Sequence, residues 1–373
     1  MELLPVSRIH LLILPIIAVL ALLACTGASG PTAPADRSAS AAPVASAGPV
    51  ASAAPVVPAP SVAPAPSVAA LDAELARIAP ASGGTVGVAA IHIETGETAS
   101  YNGALRFPMQ SVYKFPIAAQ LLKRVDDGKV TLEEKVRVRR EDLRWGHSPV
   151  AERHPNGGEI PVRELMRLMV AESDNTASDL LMPLAGGPAA VTQLAASHGL
   201  EGIQVSRLEG QLHLDFHGIP DAPGRMQRRT LESLVKAVTP KARNEALQRY
   251  LADPRDTATP LDMARLLALL QRGELLKPAS TALLLQLMTD TQTGPNRLRA
   301  GLPAGTPLAH KTGTSSSHEG VTAVVNDVGI ITLPGARGHV AIAVFVKEAK
   351  NGTPAAEAAI AQAARAAHEH WTR

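Results

Sequence analysis

The stretch "FPMQSVYKFPIA" (107–118) sets Ser111 three residues before Lys114 inside an otherwise apolar helix start. Residues at i and i+3 share one helix face, so a hydroxyl and an amine come within reach of each other. A buried lysine is costly unless it is paired or its shifted pKa is used. Alone, the pair reads equally well as an N-cap serine with a lysine snorkelling from the first turn. Two further stretches give it company. "ESDN" (172–175) supplies Ser173, Asp174 and Asn175, and "HKTGTSS" (310–316) supplies Lys311, Thr312, Gly313 and Thr314. The chemistry these residue types suit is acyl transfer. A serine attacks, lysine and hydroxyl groups move a proton, and unpartnered N–H groups at a helix start receive an oxyanion. Pro116 fits the same picture, since a lost N–H in the first turn costs little.

Strands at the two ends of the working region, with helices between them, must position these groups. "TVGVAAIHI" (85–93) is apolar and β-branched, with Gly96 as a turn before "ETASY". "VVNDVGIITLP" and "HVAIAVFVK" (324–347) are strand runs joined by "GARG", a hairpin signal. Residues 111–127, 161–171, 174–185, 188–198 and 260–272 read as helices, and "AAEAAIAQAARAAHEHW" as an amphipathic last helix. The expected fold is α/β (α+β): an antiparallel sheet built from N- and C-terminal segments and flanked by helices. An inserted all-helical lobe carries Ser173 and Asn175.

The chain has 373 residues, 46% of them hydrophobic, ample for a sizeable core. A net charge of +2 gives no whole-molecule reason to bind nucleic acid. The charge run "EEKVRVRREDLR" (133–144) mixes both signs and reads as a solvated face. Residues 1–24 combine a weakly positive start with the apolar "LLILPIIAVLALLA", a signal-peptide pattern. It ends in "LLAC", which resembles a bacterial lipoprotein signal with Cys25 as the lipidated residue; an ordinary signal peptide or an uncleaved anchor is the alternative. The expected location is the periplasm or cell envelope, on a membrane through that lipid. Cys25 is the sole cysteine, so no intrachain disulfide forms. Residues 25–69 read as a disordered tether: of residues 31–70, 36 of 40 are Ala, Pro, Ser or Val. Such a composition cannot offset its ordering entropy. Residues 70–373 form the working domain, expected to act as a monomer.

Ser-x-x-Lys, Ser-Asp-Asn and Lys-Thr-Gly in this order form the set of class A β-lactamases and penicillin-binding proteins, and residues 70–373 resemble class A β-lactamases throughout. The family carries a deacylating glutamate on a loop about three dozen residues after Ser-Asp-Asn. Glu209, in "SRLEGQLH", stands 36 residues after Ser173. Arg207 matches the loop arginine that pairs with an aspartate downstream, here Asp256 of "RDTATP"; Glu245 lies nearer to that stretch and competes with Glu209. "EGQLH" is similar to the corresponding stretch of the PER-type branch, with His213 where most class A enzymes have asparagine. "TGPNRLRAGLPAGTPLAHKTGTS" resembles the same branch and sets Arg297 where many members keep an arginine for the substrate carboxylate.

The resemblance implies hydrolysis of β-lactam antibiotics by an acyl-serine at Ser111. Lys114 and Ser173 relay a proton to the leaving nitrogen, and the Thr314 backbone gives a second oxyanion donor. Lys311, Thr312 and Arg297 attract the substrate carboxylate, Asn175 and His213 line its site, and Glu209 activates the deacylating water. No metal or other cofactor is called for. His213 and His217 could pair on a metal if helical, but no third ligand stands at zinc spacing. His147 is expected on the pocket rim. Two departures from the family are the long insertion before "RDTATP" (about 216–250), read as a surface excursion, and His147 where an aromatic residue is usual. Rival readings are a slowly deacylating penicillin-binding or DD-peptidase-like protein and a tethered β-lactam sensor. Glu209 separates them, since only a hydrolase needs that carboxylate.

Overall fold

A computed structural model describes residues 67–219 and 228–373. The leader, Cys25 and nearly all of the tether assigned to 25–69 lie outside those residues, as do residues 220–227 of the insertion. The first helix, α1 (Val68–Ile78), precedes the strands β1 (Thr85–His92) and β2 (Thr98–Tyr101). A short β3 (Phe107–Pro108) and a 3-10 turn (Gln110–Tyr113) lead into α2 (Lys114–Asp126). The helical middle holds β4 (Lys135–Val138), α3 (Pro149–Arg153), β5 (Gly158–Pro161), α4 (Val162–Ala171), α5 (Asn175–Leu184) and α6 (Pro188–Ala196). It continues with α7 (Glu209–Phe216), α8 (Arg228–Ala237), α9 (Pro240–Ala252), β6 (Thr257–Ala258), α10 (Pro260–Gln271) and α11 (Pro278–Thr289). The chain closes with β7 (Leu308–Thr314), β8 (Ser317–His318), β9 (Val321–Thr332), β10 (His339–Ala349) and α12 (Gly352–Thr372).

Among the described residues the main sheet runs β2-β1-β10-β9-β7, with β8 paired to β9, and every pairing is antiparallel. The N-terminal strand therefore lies beside the C-terminal one, Thr85 opposite Lys347 and His92 opposite Val340. Side chains alternate between faces along a strand. On β10, Ile342, Val344 and Val346 join Leu71 and Leu75 of α1 and Ile360 of α12 in one core, while Ala341, Ala343 and Phe345 face the other, larger core with α2, α4 and α10. Because helices cover both faces, the strand reads as an unbroken apolar run rather than an alternation. Alanines at 356, 359, 363, 364 and 367 are buried, so α12 lies against the sheet through small side chains.

The α/β architecture expected from the sequence is present, with the ends of the expected elements within a few residues of those read from the pattern. The lobe expected to be all-helical also holds the antiparallel pair β4–β5, whose short polar strands gave no apolar run to read. The largest local difference is at 111–113, where the expected α-helix begins as a 3-10 turn. The insertion differs more. Read as a surface excursion, it instead packs α8 and α9 on α7: Leu231 and Val235 meet Leu214, while Leu247 and Tyr250 meet Leu212 and Phe216. Alternation of charged residues with a few apolar ones hid an inner face only a residue or two wide per turn.

Candidate active site

The turn that carries Ser111 is built by close backbone packing. Gln110 is a non-glycine residue in the left-handed region (φ 47°), a conformation that costs energy and must be held by its surroundings. Asn326 of β9, fully buried, donates from Nδ2 to the carbonyls of Pro108 (2.9 Å) and Met109 (3.0 Å). A Cβ at Gly313 would lie 2.4 Å from the Met109 carbonyl oxygen, so only glycine lets β7 approach the turn this closely. Ser111 follows in the first turn of the 3-10 segment, where N–H groups lack intrahelical acceptors.

Both lysines named from the sequence are fully buried beside the serines. Lys114 Nζ donates to Ser111 Oγ (3.1 Å), the Ser173 carbonyl (2.8 Å) and Asn175 Oδ1 (2.6 Å). Lys311 Nζ donates to Ser173 Oγ (2.9 Å). Ser173 is itself left-handed (φ 61°), with its carbonyl and hydroxyl each held by one lysine. Burial lowers the Lys114 pKa, partly opposed by the negative charge of Glu209. Lys311 sits well below the usual lysine value, through burial first and then repulsion from Lys114. Asp174, between Ser173 and Asn175, does a structural job: it caps α5 at the Ala177 N–H (2.7 Å) and accepts from the Val150 N–H (2.6 Å).

Glu209 is the first residue of α7 and is buried against these groups. Its Oε2 lies 3.8 Å from Lys114 Nζ and has no hydrogen-bond partner among the described residues, and Oε1 lies 3.8 Å from His213 Nε2. Burial by itself would raise this carboxyl; Lys114 first, then His213, Tyr113 and Lys311, together outweigh it and hold the pKa below the usual carboxylate value. Burial also lowers the His213 pKa. Glu245 is exposed on α9 and is not among the residues lining the cleft.

Two ion pairs set the place of α7. Arg207 Nε donates to Asp256 Oδ2 (2.5 Å) and Nη1 to Asp215 (2.6 Å) and Asp253 (3.1 Å), while the N–H groups of Ser206 and Arg207 donate to Asp256 Oδ1. The pairing expected from "SRLE" and "RDTATP" is thus made despite the insertion. The second pair was not read from the sequence. Asp179 of α5 accepts from the N–H groups of Glu209 (2.6 Å) and Gly210 (3.1 Å) and from Arg144 Nε (2.5 Å). Arg144 ends the charge run read as a solvated face, yet it is buried. Its only sequence signal was an apolar neighbour on each side, Leu143 and Trp145.

The opposite wall of the cleft comes from β7. Thr312 Oγ1 lies 2.5 Å from Thr293 Oγ1, and Thr314 is exposed to the cleft. Arg297 also lines the cleft, but its guanidinium is engaged. It donates to Thr314 Oγ1 (2.7 Å), the Asn326 carbonyl (2.9 Å) and Glu357 (3.1 Å). His147 is exposed at the rim and donates from Nε2 to the Glu172 carbonyl (2.7 Å). His213 and His217 both lie at α7, ring centroids 6.2 Å apart, edge-on to Trp145. Among the described residues no group of three or more metal-ligating side chains occurs.

The sequence-named residues Ser111, Ser173, Asn175, Glu209, His213, Arg297, Thr312 and Thr314 thus line one cleft of about 280 Å³, with Lys114 and Lys311 beneath it. Such a cleft sets a hydroxyl, two buried amines, a second hydroxyl and a free carboxylate oxygen around one reacting centre. A profile of the beta-lactamase enzyme family matches residues 70–371. The extended-spectrum beta-lactamase PER-1 of Pseudomonas aeruginosa is 36% identical over 288 residues, 76% of this chain and 82% of that protein. Beta-lactamase VEB-1 of the same organism is 32% identical over 300 residues, 79% of this chain and 88% of that protein. Among solved structures, the TLA-3 extended-spectrum beta-lactamase superposes with a TM-score of 0.69 at 29% identity, covering 82% of this chain and all of that one. An ancestral class A beta-lactamase superposes with a TM-score of 0.64 at 35% identity, covering 79% and 98%. Site, fold and relatives converge: the chain belongs to the beta-lactamase enzyme family.

Proposed function

We propose that the protein hydrolyses β-lactam antibiotics through an acyl-enzyme on Ser111 that Glu209 clears. Ser111 Oγ attacks the ring carbonyl carbon and the C–N bond opens. The serine proton is taken by Lys114, whose amine reaches Ser111 Oγ, and the Ser173 hydroxyl, held by Lys311, delivers a proton to the departing nitrogen. The N–H groups of Ser111 and Thr314 receive the oxyanion. Lys311 and Thr312 attract the substrate carboxylate, and Arg297 acts on it through Thr314. In the second half Glu209 takes a proton from water as it attacks the ester, and Ser111 leaves with its proton restored. The free Oε2 of a buried, ionised Glu209 beside Lys114 is the observation that carries hydrolysis rather than mere acylation. Anchoring by a lipid on Cys25 in the cell envelope belongs to the same proposal and rests on the "LLAC" pattern. A mature N-terminus at another, unlipidated residue would refute that part.

The test is turnover of a chromogenic cephalosporin together with the intact mass of the protein. Glu209→Gln is expected to accumulate an adduct on Ser111, with turnover down by roughly two or more orders of magnitude. Glu245→Gln is expected to behave as wild type. If the wild type itself stalls as the adduct, the protein is a binder and not a hydrolase.

A further inference from the structure

The inserted helix α9 reaches the nucleophile turn through one side chain. Tyr250, on its buried face, is 4% exposed and stands edge-on to Phe216 of α7, ring centroids 5.2 Å apart. It shares a small core with Leu212 of α7 and with Ala323 and Val324 of β9. Its phenol oxygen accepts a hydrogen bond of 2.7 Å from Gln110 Nε2. Gln110 is the left-handed residue immediately before Ser111, and its own side chain is 5% exposed. The backbone before it is held by Asn326 and Gly313, whereas its side chain is held by Tyr250. Burial pushes the phenol's pKa far up, so the hydroxyl stays neutral and serves as a hydrogen-bonding group only.

We propose that Tyr250 is a positioning residue for acylation, by which the insertion holds Gln110 and so fixes the turn that presents Ser111 and its N–H. This rests on Ser111 being the nucleophile. A buried amide that loses its partner seeks another, and the side chain that would swing belongs to the residue whose strained backbone sets the oxyanion donor. Small misplacements at such a donor are costly in rate. Breakdown of the acyl-enzyme passes through a second oxyanion held by the same Ser111 N–H, so both steps are expected to slow.

Tyr250→Phe keeps the ring and its packing and removes only the hydroxyl. The rate constant for acylation by a fluorescent penicillin is expected to fall about tenfold or more. Decay of the preformed adduct should slow by a comparable factor, since the same N–H serves both oxyanions. Gln110→Met, which leaves Tyr250 in place, should show the same losses, and the double variant should lose no more than the worse single one. Wild-type acylation in Tyr250→Phe, or additive losses in the double variant, overturns the proposal. So does a fall in deacylation alone, the mark of a role in packing α7. If Tyr250→Phe does not fold, Gln110→Met decides: a loss in the acylation rate supports the proposal and a wild-type rate overturns it. A wild-type protein that takes up label elsewhere than Ser111 overturns the nucleophile assignment and this inference with it, an outcome distinct from all the others.

Discussion

The turn that carries Ser111 and the helix that carries Glu209 face each other across one cleft, yet different forces hold them. The turn is gripped by neutral groups: the Asn326 amide on two carbonyls, the Met109 N–H on the Asp256 carbonyl, and the bare backbone of Gly313. Helix α7 is gripped by charges, Arg207 on Asp256, Asp215 and Asp253, and Asp179 shared between Arg144 and the N–H groups of Glu209 and Gly210. Neutral clamps lose a modest hydrogen bond when cut, whereas cutting a buried ion pair strands a charge. The turn that carries Ser111 should therefore tolerate single substitutions better than helix α7. Asp256 joins the two halves, because its side chain holds Arg207 while its carbonyl holds Met109.

The sharpest way to break this asymmetry is Asp256→Ala. It leaves Arg207 buried without its main partner and is expected to cost roughly 3–5 kcal/mol, measured by urea unfolding, with deacylation lost before acylation. A loss under about 1 kcal/mol would mean that Asp215 and Asp253 suffice to hold Arg207. Next in size, Asp179→Asn and Asn326→Ala form a pair. Asp179→Asn, which leaves Arg144 without its carboxylate, should cost about 2–3 kcal/mol and Asn326→Ala about 1–2, but the first should slow deacylation alone and the second acylation as well. Equal effects on both steps in both variants would erase the distinction.

The smallest effect is read in pH profiles of the two steps. Glu209 must be ionised to act as a base, and its pKa lies below the usual carboxylate value, so deacylation should persist on acidification until the pH falls below that range. The Lys114 pKa is lowered, so its proton is lost at a pH below the ordinary lysine value. The alkaline change in acylation should fall there too. An acid limb of deacylation at or above the ordinary carboxylate value would place Glu209 in a less charged setting than the one described.

What was legible in the sequence was the chemistry-bearing half of the site. Ser111, Lys114, Ser173 and Lys311 are marked by residue type and spacing, which survive without knowledge of neighbours, and Glu209 by the spacing that the family resemblance implies. The supports were not legible, because their meaning lies in what they touch. Asn326 reads as one polar residue in an apolar strand, and nothing local says that it reaches two carbonyls more than 200 residues earlier in the chain. Arg144 is hidden in a charge run, and Tyr250 in a helix whose outer face is charged. The sheet was read more readily, since continuous apolar runs at 85–93 and 339–347 demand partners on both faces. Arg297 shows the reverse case: its position was read, but the carbonyls, threonine and glutamate that occupy its guanidinium were not.

The pairing of β1 with β10 has a consequence for the order in which the chain can fold. Thr85 must wait for Lys347, so the central sheet closes only after a loop of most of the domain has been ordered, a slow event in any chain dominated by distant contacts. Until then β1 has β2 alone for company, and the apolar face meant for α12 stays open to other chains. Every residue lining the cleft lies before position 315. A chain released after residue 338 would still carry all of them, and would lack both the strand that joins β1 to β9 and the Val346 N–H that holds Asn326 in place.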